Sequence, residues 1–341
     1  MFKLRNIPLN RPQFWGRFIF AFTLILSIAA STQETGLSPP LKKTDKRIYN
    51  FVVQAESNNI DSKWPILPKT CWSYVDASTI VVTNTSTGED ISETCRREEN
   101  EDFVGQWNLL IPSQNYKVQF TSSSFSSELD EEVAAKIPWP EEWDEEFEAY
   151  LQPSRYIQSD DQVFKNAVAE NGNPKSVSIH TAAKVLIRYC LQYIHSDGQY
   201  SRSKGSIFEG LEVKGARYAA NKEKGSAVDL VCVCIATLRA AGIPSRPVVG
   251  ITVADTVGTI KIDPTLIVWG EYALPNVGWV PFNPKRMKGT VQNLPLNQPW
   301  QGLGTMQWLN RRMPIAWNFE IEDLGKSKQQ FQMRFVSSPS E

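Results

Sequence analysis

The side chains of this chain whose chemistry suits catalysis are five cysteines, two histidines and a serine at the start of a helix-like run. That run, KGSAVDLVCVCIATLRAAGIPSRPVVGI, covers residues 224–251 and contains Ser226, Cys232 and Cys234. A cysteine thiolate attacks carbonyl groups when a helix N-terminus and a neighbouring imidazolium lower its pKa. A serine needs a base within hydrogen-bond reach. Both histidines, His180 and His195, lie upstream, so neither the run nor the strands after it contain an imidazole.

The elements that must position these side chains follow from local pattern. Apolar residues at three- and four-residue spacing predict a helix buried along one face, which ends where glycine and proline follow at 242–244. Cys232 and Cys234 are then expected to be buried thiols that pack as small hydrophobic groups. Ser226 is expected to cap the helix. Residues 246–251 predict a buried strand, and LIVWGEYALPNVGWVPF predicts a hairpin in which Ile267, Trp269 and Glu271 share one face.

These motifs resemble the core of the transglutaminase-like superfamily, the papain-related fold of cysteine transferases and peptidases. That family has a Gly-x-Cys-x-Asp turn, an Arg-x-x-Gly-Ile-Pro-x-Arg run, a His-x-Trp-x-Glu strand and a Gly-Trp-Val-x-Phe-Asp-Pro segment. In this chain the cysteine position holds Ala227, the histidine position Ile267 and the aspartate position Asn283. The resemblance is strong over about 60 residues and looser from about residue 149 onward.

The resemblance implies a fold that keeps its groove and has lost its chemistry, because alanine cannot attack and isoleucine cannot accept a proton. We therefore predict no catalytic residues and a groove that binds a protein, a peptide or a cell-envelope component. Four residues are expected to line it: Ser226, Trp269, Glu271 and Trp279. The alternative is an active acyl transferase or hydrolase that uses a displaced nucleophile, namely Ser226, Cys232 or Cys234.

The remaining polar residues predict neither a metal nor a cofactor. His180 and His195 border an amphipathic segment, and a histidine in a last helical turn needs no functional explanation. A Cys-x-Cys pair on a helix is a poor zinc clamp. The acidic passage from 128 to 148 lacks the spacing of a calcium loop and is expected to be a solvated linker and helix start. The formal net charge of −1 gives no case for nucleic acid.

The N-terminus predicts export. A basic stretch, a thirteen-residue apolar run at 18–30 and small residues near 29–31 have the layout of a secretory signal peptide. The run is short for a membrane span, which needs about 20 apolar residues. An uncleaved N-terminal membrane anchor is the alternative. Either way the folded part is expected to be secreted, periplasmic or otherwise extracytoplasmic.

The predicted fold class is α+β, with an antiparallel β-sandwich before the transglutaminase-like, helix-on-sheet core. The predicted divisions are a signal peptide at 1–31, a linker at 32–47, the β-domain at 48–137, an acidic linker at 138–158 and the core at 159–341. Cys71 and Cys95 both fall in the β-domain and are expected to form a disulfide in an oxidising compartment. Two strands near the C-terminus, IAWNFEIED and KQQFQMRFV, are expected to form a hairpin at the edge of the core sheet.

Overall fold

The computed structural model describes residues 39–57, 62–101, 103–196, 213–252, 265–319 and 328–337. The predicted signal peptide and the first part of the predicted linker lie outside these residues. The N-terminal elements are β1 (Leu41–Glu56), β2 (Ser62–Ile66), β3 (Ser73–Asn84), β4 (Arg96–Glu99), β5 (Trp107–Ile111), β6 (Asn115–Leu129), α1 (Glu131–Ala134) and α2 (Glu145–Glu148). The following elements are α3 (Gln162–Glu170), α4 (Ile179–Tyr193), β7 (His195–Ser196), α5 (Ala216–Lys222), β8 (Lys224–Gly225), α6 (Ala227–Ala240), β9 (Ser245–Thr252), β10 (Thr265–Leu274), β11 (Gly278–Phe282), α7 (Pro284–Met287), β12 (Arg312–Ala316) and β13 (Lys328–Ser337).

The N-terminal strands form two antiparallel sheets within the described residues, in the orders β13-β1-β6-β3 and β2-β5-β4. Strand β6 explains how this part meets the rest of the chain. Its inward residues are apolar in the first half (Tyr116, Val118, Phe120) and serines in the second half. Small hydroxyl side chains allow close approach, and Ser124 Oγ donates to the backbone oxygen of Arg312 at 3.2 Å. The antiparallel pairing agrees with the predicted β-domain, whose sandwich form stays a prediction.

Two predicted linkers contain ordered elements. Residues 41–47 belong to β1, where Leu41 and Lys42 pair with the last residues of β6. The acidic passage contains the short helices α1 and α2. The expectation that this passage is solvated is wrong for Glu131, which is buried because it faces two basic groups of α4.

The core is a mixed helix-and-sheet structure, as predicted. Its antiparallel sheet has the order β11-β10-β9-β12, and helix α6 packs against β9, β10, α4 and α7. The hairpin of β10 and β11 is confirmed, with Gly270 opposite Phe282. Helix α6 is buried on all sides, and not along one face only, because helices and the sheet surround it.

Part of the expected C-terminal hairpin, residues 320–327, lies outside the described residues, but the partners of the two flanking strands are clear. Strand β12 pairs with β9 in the core sheet, whereas β13 pairs with β1 in the N-terminal sheet. The expected position of KQQFQMRFV at the edge of the core sheet is therefore wrong. Adjacent strands are the commonest partners, and nothing local in the sequence reveals a pairing between strands so far apart in the chain.

The predicted disulfide between Cys71 and Cys95 is also wrong, since both thiols are free. Cys71 is buried near Glu271 and Arg246 of the core sheet, and these two residues contribute to its electrostatic environment. Cys95 Sγ instead donates to the Ile91 backbone oxygen at 3.4 Å. The Cys71 side chain therefore lies near residues of the core sheet, whereas the Cys95 side chain is hydrogen-bonded within the N-terminal region. Within the described residues, no helix is long and apolar enough to cross a membrane.

Candidate functional site

The start of α6 is fixed by a reciprocal cap. Ser226 Oγ accepts a hydrogen bond from the Asp229 N–H at 3.1 Å, and the Ser226 N–H donates to Asp229 Oδ2 at 3.0 Å. The serine hydroxyl also donates to Oδ2 at 3.0 Å. Such a capping box satisfies helix donors that would otherwise lack partners. The predicted capping role of Ser226 is confirmed, and its hydroxyl is engaged by a carboxylate.

Asp229 ties this turn to the preceding segment. Its Oδ1 accepts from the backbone N–H groups of Lys214 and Gly215, both at 2.9 Å. Gly225 makes that approach possible, because a Cβ there would lie 2.8 Å from Asp229 Cβ and 3.0 Å from Ala219 Cβ. The side chain of Asp229 is almost completely buried. The acidic residue of the first turn therefore organises the backbone around the site.

The three positions that the sequence resemblance assigns to the family's catalytic residues lie on elements that pack together. Ala227 is the first residue of α6 and is 8 % exposed. Ile267 lies on β10 opposite Gly250 and is half-buried against the core. Asn283 is buried and caps α7, its Oδ1 accepting from the Arg286 N–H at 3.3 Å. Helix α6 packs against both β10 and α7, so the methyl, butyl and carboxamide groups at these positions lie on neighbouring elements.

The cysteines of α6 are poor nucleophiles in this setting. Cys232 and Cys234 have no exposed surface. Burial, assisted by the charge of Asp229, raises the pKa of the Cys232 thiol well above its usual value. Burial and the neighbouring Cys190 thiol do the same to the pKa of Cys234. The expected burial of both thiols is confirmed, and a raised pKa disfavours the thiolate, which is the reactive form.

Three residues of the predicted groove lie in the interior. Trp269, Glu271 and Trp279 are 1 %, 2 % and 8 % exposed. Glu271 Oε2 accepts from Arg246 Nε at 3.0 Å and Nη2 at 2.9 Å. The Arg246 guanidinium lies 3.8 Å from the Trp279 ring centroid and 4.0 Å from that of Trp317. Strand alternation predicted the shared face correctly but could not reveal that other parts of the chain cover it, so these side chains are not offered to a partner.

His180 belongs to a second buried cluster, which the sequence did not reveal. Its Nδ1 lies 2.5 Å from the Tyr272 hydroxyl and its Nε2 lies 2.8 Å from Glu131 Oε2. Lys184 Nζ donates to the same oxygen at 2.8 Å. Burial acts to raise the pKa of Glu131, but its hydrogen bonds and charge interactions with His180 and Lys184 outweigh burial and lower it. The four-residue spacing of His180 and Lys184 on one helix face was the available signal.

His195 does not lie in the last turn of α4, contrary to expectation. The helix ends at Tyr193, and the backbone of Ile194 is already extended. His195 then starts the two-residue strand β7, which runs parallel to β8 and pairs His195 with Lys224. Its backbone therefore lies opposite a residue two positions before Ser226. Among the described residues, no group of three or more histidine, cysteine or acidic side chains could hold a metal ion.

Comparison with known proteins agrees with this architecture. Residues 174–284 match the family model of the transglutaminase-like superfamily. A candidate cysteine protease from Cytophaga hutchinsonii has a similar fold, with a TM-score of 0.54 and 15% identity over 88% of this chain and 94% of its own. The periplasmic domain of TgpA from Pseudomonas aeruginosa gives a TM-score of 0.31, too low to support a conclusion, at 13% identity over 69% and 86% of the two chains. A search of curated proteins found no match. Residues 174–284 are thus a transglutaminase-like domain, as the motifs predicted.

Proposed function

We propose that this chain is an exported, catalytically inactive transglutaminase-like protein that binds a protein, a peptide or a cell-envelope component at the start of α6. The observation that carries the proposal is the composition of that corner. Ala227 stands where the family has its nucleophile, and Ile267 stands where it has its base. Neither side chain can take part in covalent or proton-transfer chemistry.

The displaced nucleophiles are also poorly placed for catalysis. Cys232 and Cys234 are enclosed in the core, and no substrate reaches them without unfolding of α6. Ser226 is half-buried, and its hydroxyl already serves two roles within the capping box. The described histidine side chain, His180, is held by Glu131 and Tyr272. These contacts support a site that binds a partner and does not catalyse a reaction.

The proposed binding surface is smaller than the predicted groove. It keeps the half-buried Ser226 and Ile267 and excludes the three interior residues of the predicted set. Exposed Glu223 and Lys224 border it. A partner that inserts an apolar group beside Ile267 and makes polar contacts at its edge suits this surface, since interfaces combine an apolar centre with a polar rim.

One observation favours the alternative, an acyl transferase or hydrolase that uses Ser226. Strand β7 places the backbone of His195 beside β8, which directly precedes that serine. A base delivered from β7 would stand in for the missing histidine of β10. The two readings differ in a measurable way, because only the alternative needs both Ser226 and His195.

The deciding experiment is an activity assay with matched variants of the full chain. We expect no incorporation of an amine into a glutamine-containing protein, no peptide hydrolysis and no labelling by a hydroxyl-directed fluorophosphonate. Turnover that is lost in both Ser226→Ala and His195→Gln but kept in Ser178→Ala would establish the alternative. Ser178 is the matched control because it caps α4 as Ser226 caps α6.

Binding is tested separately, with extracellular material from the native source. Ile267→Glu is expected to abolish capture of the partner, whereas Val104→Glu, at a 74 % exposed position, is expected to leave it unchanged. Equal loss or equal retention in both variants would contradict binding at this corner. Export is checked by the N-terminus of the mature protein, which we expect near residues 29–31.

A further inference from the structure

A cavity of about 390 Å³ lies at the opposite end of α6 from the candidate site. Its walls come from the loop 152–157, the end of α6, the start of β9 and the segment after β12. The aromatic side chains of Phe103, Tyr156, Trp317 and Phe319 provide much of the surface. Such a volume and such a lining are typical of pockets that bind small molecules or single side chains.

The charged groups of this cavity have one sign. Of the described residues that line it, two are arginines, Arg155 and Arg239, and none carries a carboxylate. Arg239 is the more informative, because it is 7 % exposed. Within the described part of the chain it has no acidic partner within ion-pair distance. A buried cation without a counter-ion is costly and seldom kept without a reason.

Arg239 uses two of its three nitrogens in hydrogen bonds to the protein. Nε donates to the Ser245 backbone oxygen at 2.7 Å and Nη1 to the Gln152 backbone oxygen at 2.5 Å. Both acceptors are neutral, and Nη2 has no hydrogen-bond partner among the described residues. Burial lowers the pKa of this guanidinium to about 10, which still leaves it charged at neutral pH. The arginine is thus positively charged and fixed through two nitrogens, with its third nitrogen available.

The neighbouring Arg246, in contrast to Arg239, is buried with an acidic partner. It is paired with Glu271 through two nitrogens and enclosed by Trp279 and Trp317. Trp317 contacts Arg246 and is also one of the residues that line the cavity with Arg239. Its indole N–H is buried without an acceptor in the described part of the structure.

We propose that this cavity binds a carboxylate attached to an aromatic or apolar group, with Arg239 as the residue that recognises the anion. A carboxylate would supply the missing counter-ion and accept from Nη2, since guanidinium groups match carboxylates in geometry. The apolar part of the ligand would pack against the aromatic rings. The C-terminal residue of a peptide and a free aromatic acid share this chemistry.

The site is independent of the proposed function. Arg239 lies twelve residues after Ala227 on α6, or about 18 Å along the helix at 1.5 Å per residue. A ligand in the cavity therefore does not touch the first turn of α6. Loss of binding at one site leaves the other testable, so the two proposals fail separately.

Isothermal titration calorimetry on the full chain tests the proposal with matched probes. N-acetylphenylalanine and phenylacetate carry the carboxylate, whereas N-acetylphenylalanine amide is the neutral control. We expect both acids to bind at least tenfold more tightly than the amide. A pentapeptide ending in phenylalanine, compared with its C-terminal amide, separates the two sources: binding of the peptide acid assigns peptide C-termini, and binding of the small acids alone assigns free aromatic acids.

Variants connect the binding to the cavity. Arg239→Gln is expected to weaken acid binding at least tenfold. Because that change could also disturb folding, the exposed Ala149 at the cavity wall offers a second variant, Ala149→Glu, which places a competing carboxylate there. Ala169→Glu, at an exposed position of α3, is the control and should bind as the parent does. Equal affinity for acid and amide, no binding of any acid at millimolar concentration, or unchanged binding in Ala149→Glu would each overturn the proposal.

Discussion

The two ends of helix α6 differ in how their buried polar groups are satisfied. At its start, Asp229 accepts four hydrogen bonds, from Lys214, Gly215 and twice from Ser226. At its end, Arg239 donates to two neutral backbone oxygens and has a nitrogen to spare. The helix between them is buried throughout. Asp229 therefore has hydrogen-bond partners for both carboxylate oxygens, whereas Arg239 keeps one nitrogen that has no partner among the described residues.

This difference indicates two separate candidate sites, one at each end of α6. The family resemblance points to the start of α6, because it assigns Ala227 and Ile267 to the positions of the family's nucleophile and base. Physical chemistry points also to the end of α6, where the buried Arg239 has no acidic partner among the described residues. A buried charge without a counter-ion calls for an explanation, and a bound anion is one.

Removing the partner of the neutralised arginine should have the largest effect. Glu271→Ala turns Arg246 into a second buried guanidinium without a counter-ion, and should lower the free energy of unfolding by about 3–5 kcal/mol. Urea denaturation measures it. Glu98→Ala is the control, because the pair of Lys63 and Glu98 is half-exposed and should contribute at most about 1 kcal/mol. Similar losses of unfolding free energy in the two variants would show that burial does not increase the contribution of the Arg246–Glu271 pair to stability.

Asp229→Ala should be next, because it leaves the backbone donors of the first turn and of residues 214–215 without acceptors. Unsatisfied buried donors cost about 1–3 kcal/mol each, and partial access of water should limit the total loss to about 3 kcal/mol. Asp229→Asn keeps one acceptor oxygen and should lose less. A greater loss for asparagine than for alanine would contradict this account of the cap.

Arg239→Met should cost only about 1–2 kcal/mol. The variant loses two hydrogen bonds to backbone oxygens, but it also removes the cost of burying an unpaired charge. Thermal or urea unfolding gives the value. If Arg239→Met destabilised the protein as much as Glu271→Ala, the guanidinium would have to be structural, and the contrast between the two arginines would disappear.

Ser226→Ala should have the smallest effect, about 1 kcal/mol, the usual value for an N-cap serine. Ser178→Ala at the start of α4 should match it. A loss at Ser226 several times larger than at Ser178 would mean that its hydroxyl does more than cap the helix.

Local signals in the sequence predicted the part of the fold that holds the candidate site. The capping role of Ser226, the stop after α6 and the hairpin of β10 and β11 all depend on residues close together in the chain. The burial of the α6 cysteines followed from their position in an apolar run. Each of these features is encoded by spacing and by turn chemistry.

What the sequence did not predict depends on distant contacts. The interior position of Trp269 and Glu271 requires Trp317 and the N-terminal region around Cys71 to cover that face of the sheet. The pairing of β13 with β1 joins two strands that are far apart in the sequence. The same holds for Glu131, whose charge is explained by residues of α4 about fifty positions later. Charge pattern alone marked that residue as solvated.

We infer that the start of α6 keeps the local structure of a cysteine enzyme but lacks its nucleophile. Thiol labelling of the folded chain at pH 7, followed by peptide mass spectrometry, tests it directly. In the parent, we predict no labelling of Cys232 or Cys234. In the triple variant Ala227→Cys, Ile267→His and Asn283→Asp, we predict rapid labelling at position 227, because the helix N-terminus and the new imidazole lower the thiol pKa. Rapid labelling of Cys232 or Cys234 in the native parent, or a triple variant that reacts no faster than a denatured cysteine, would contradict the account.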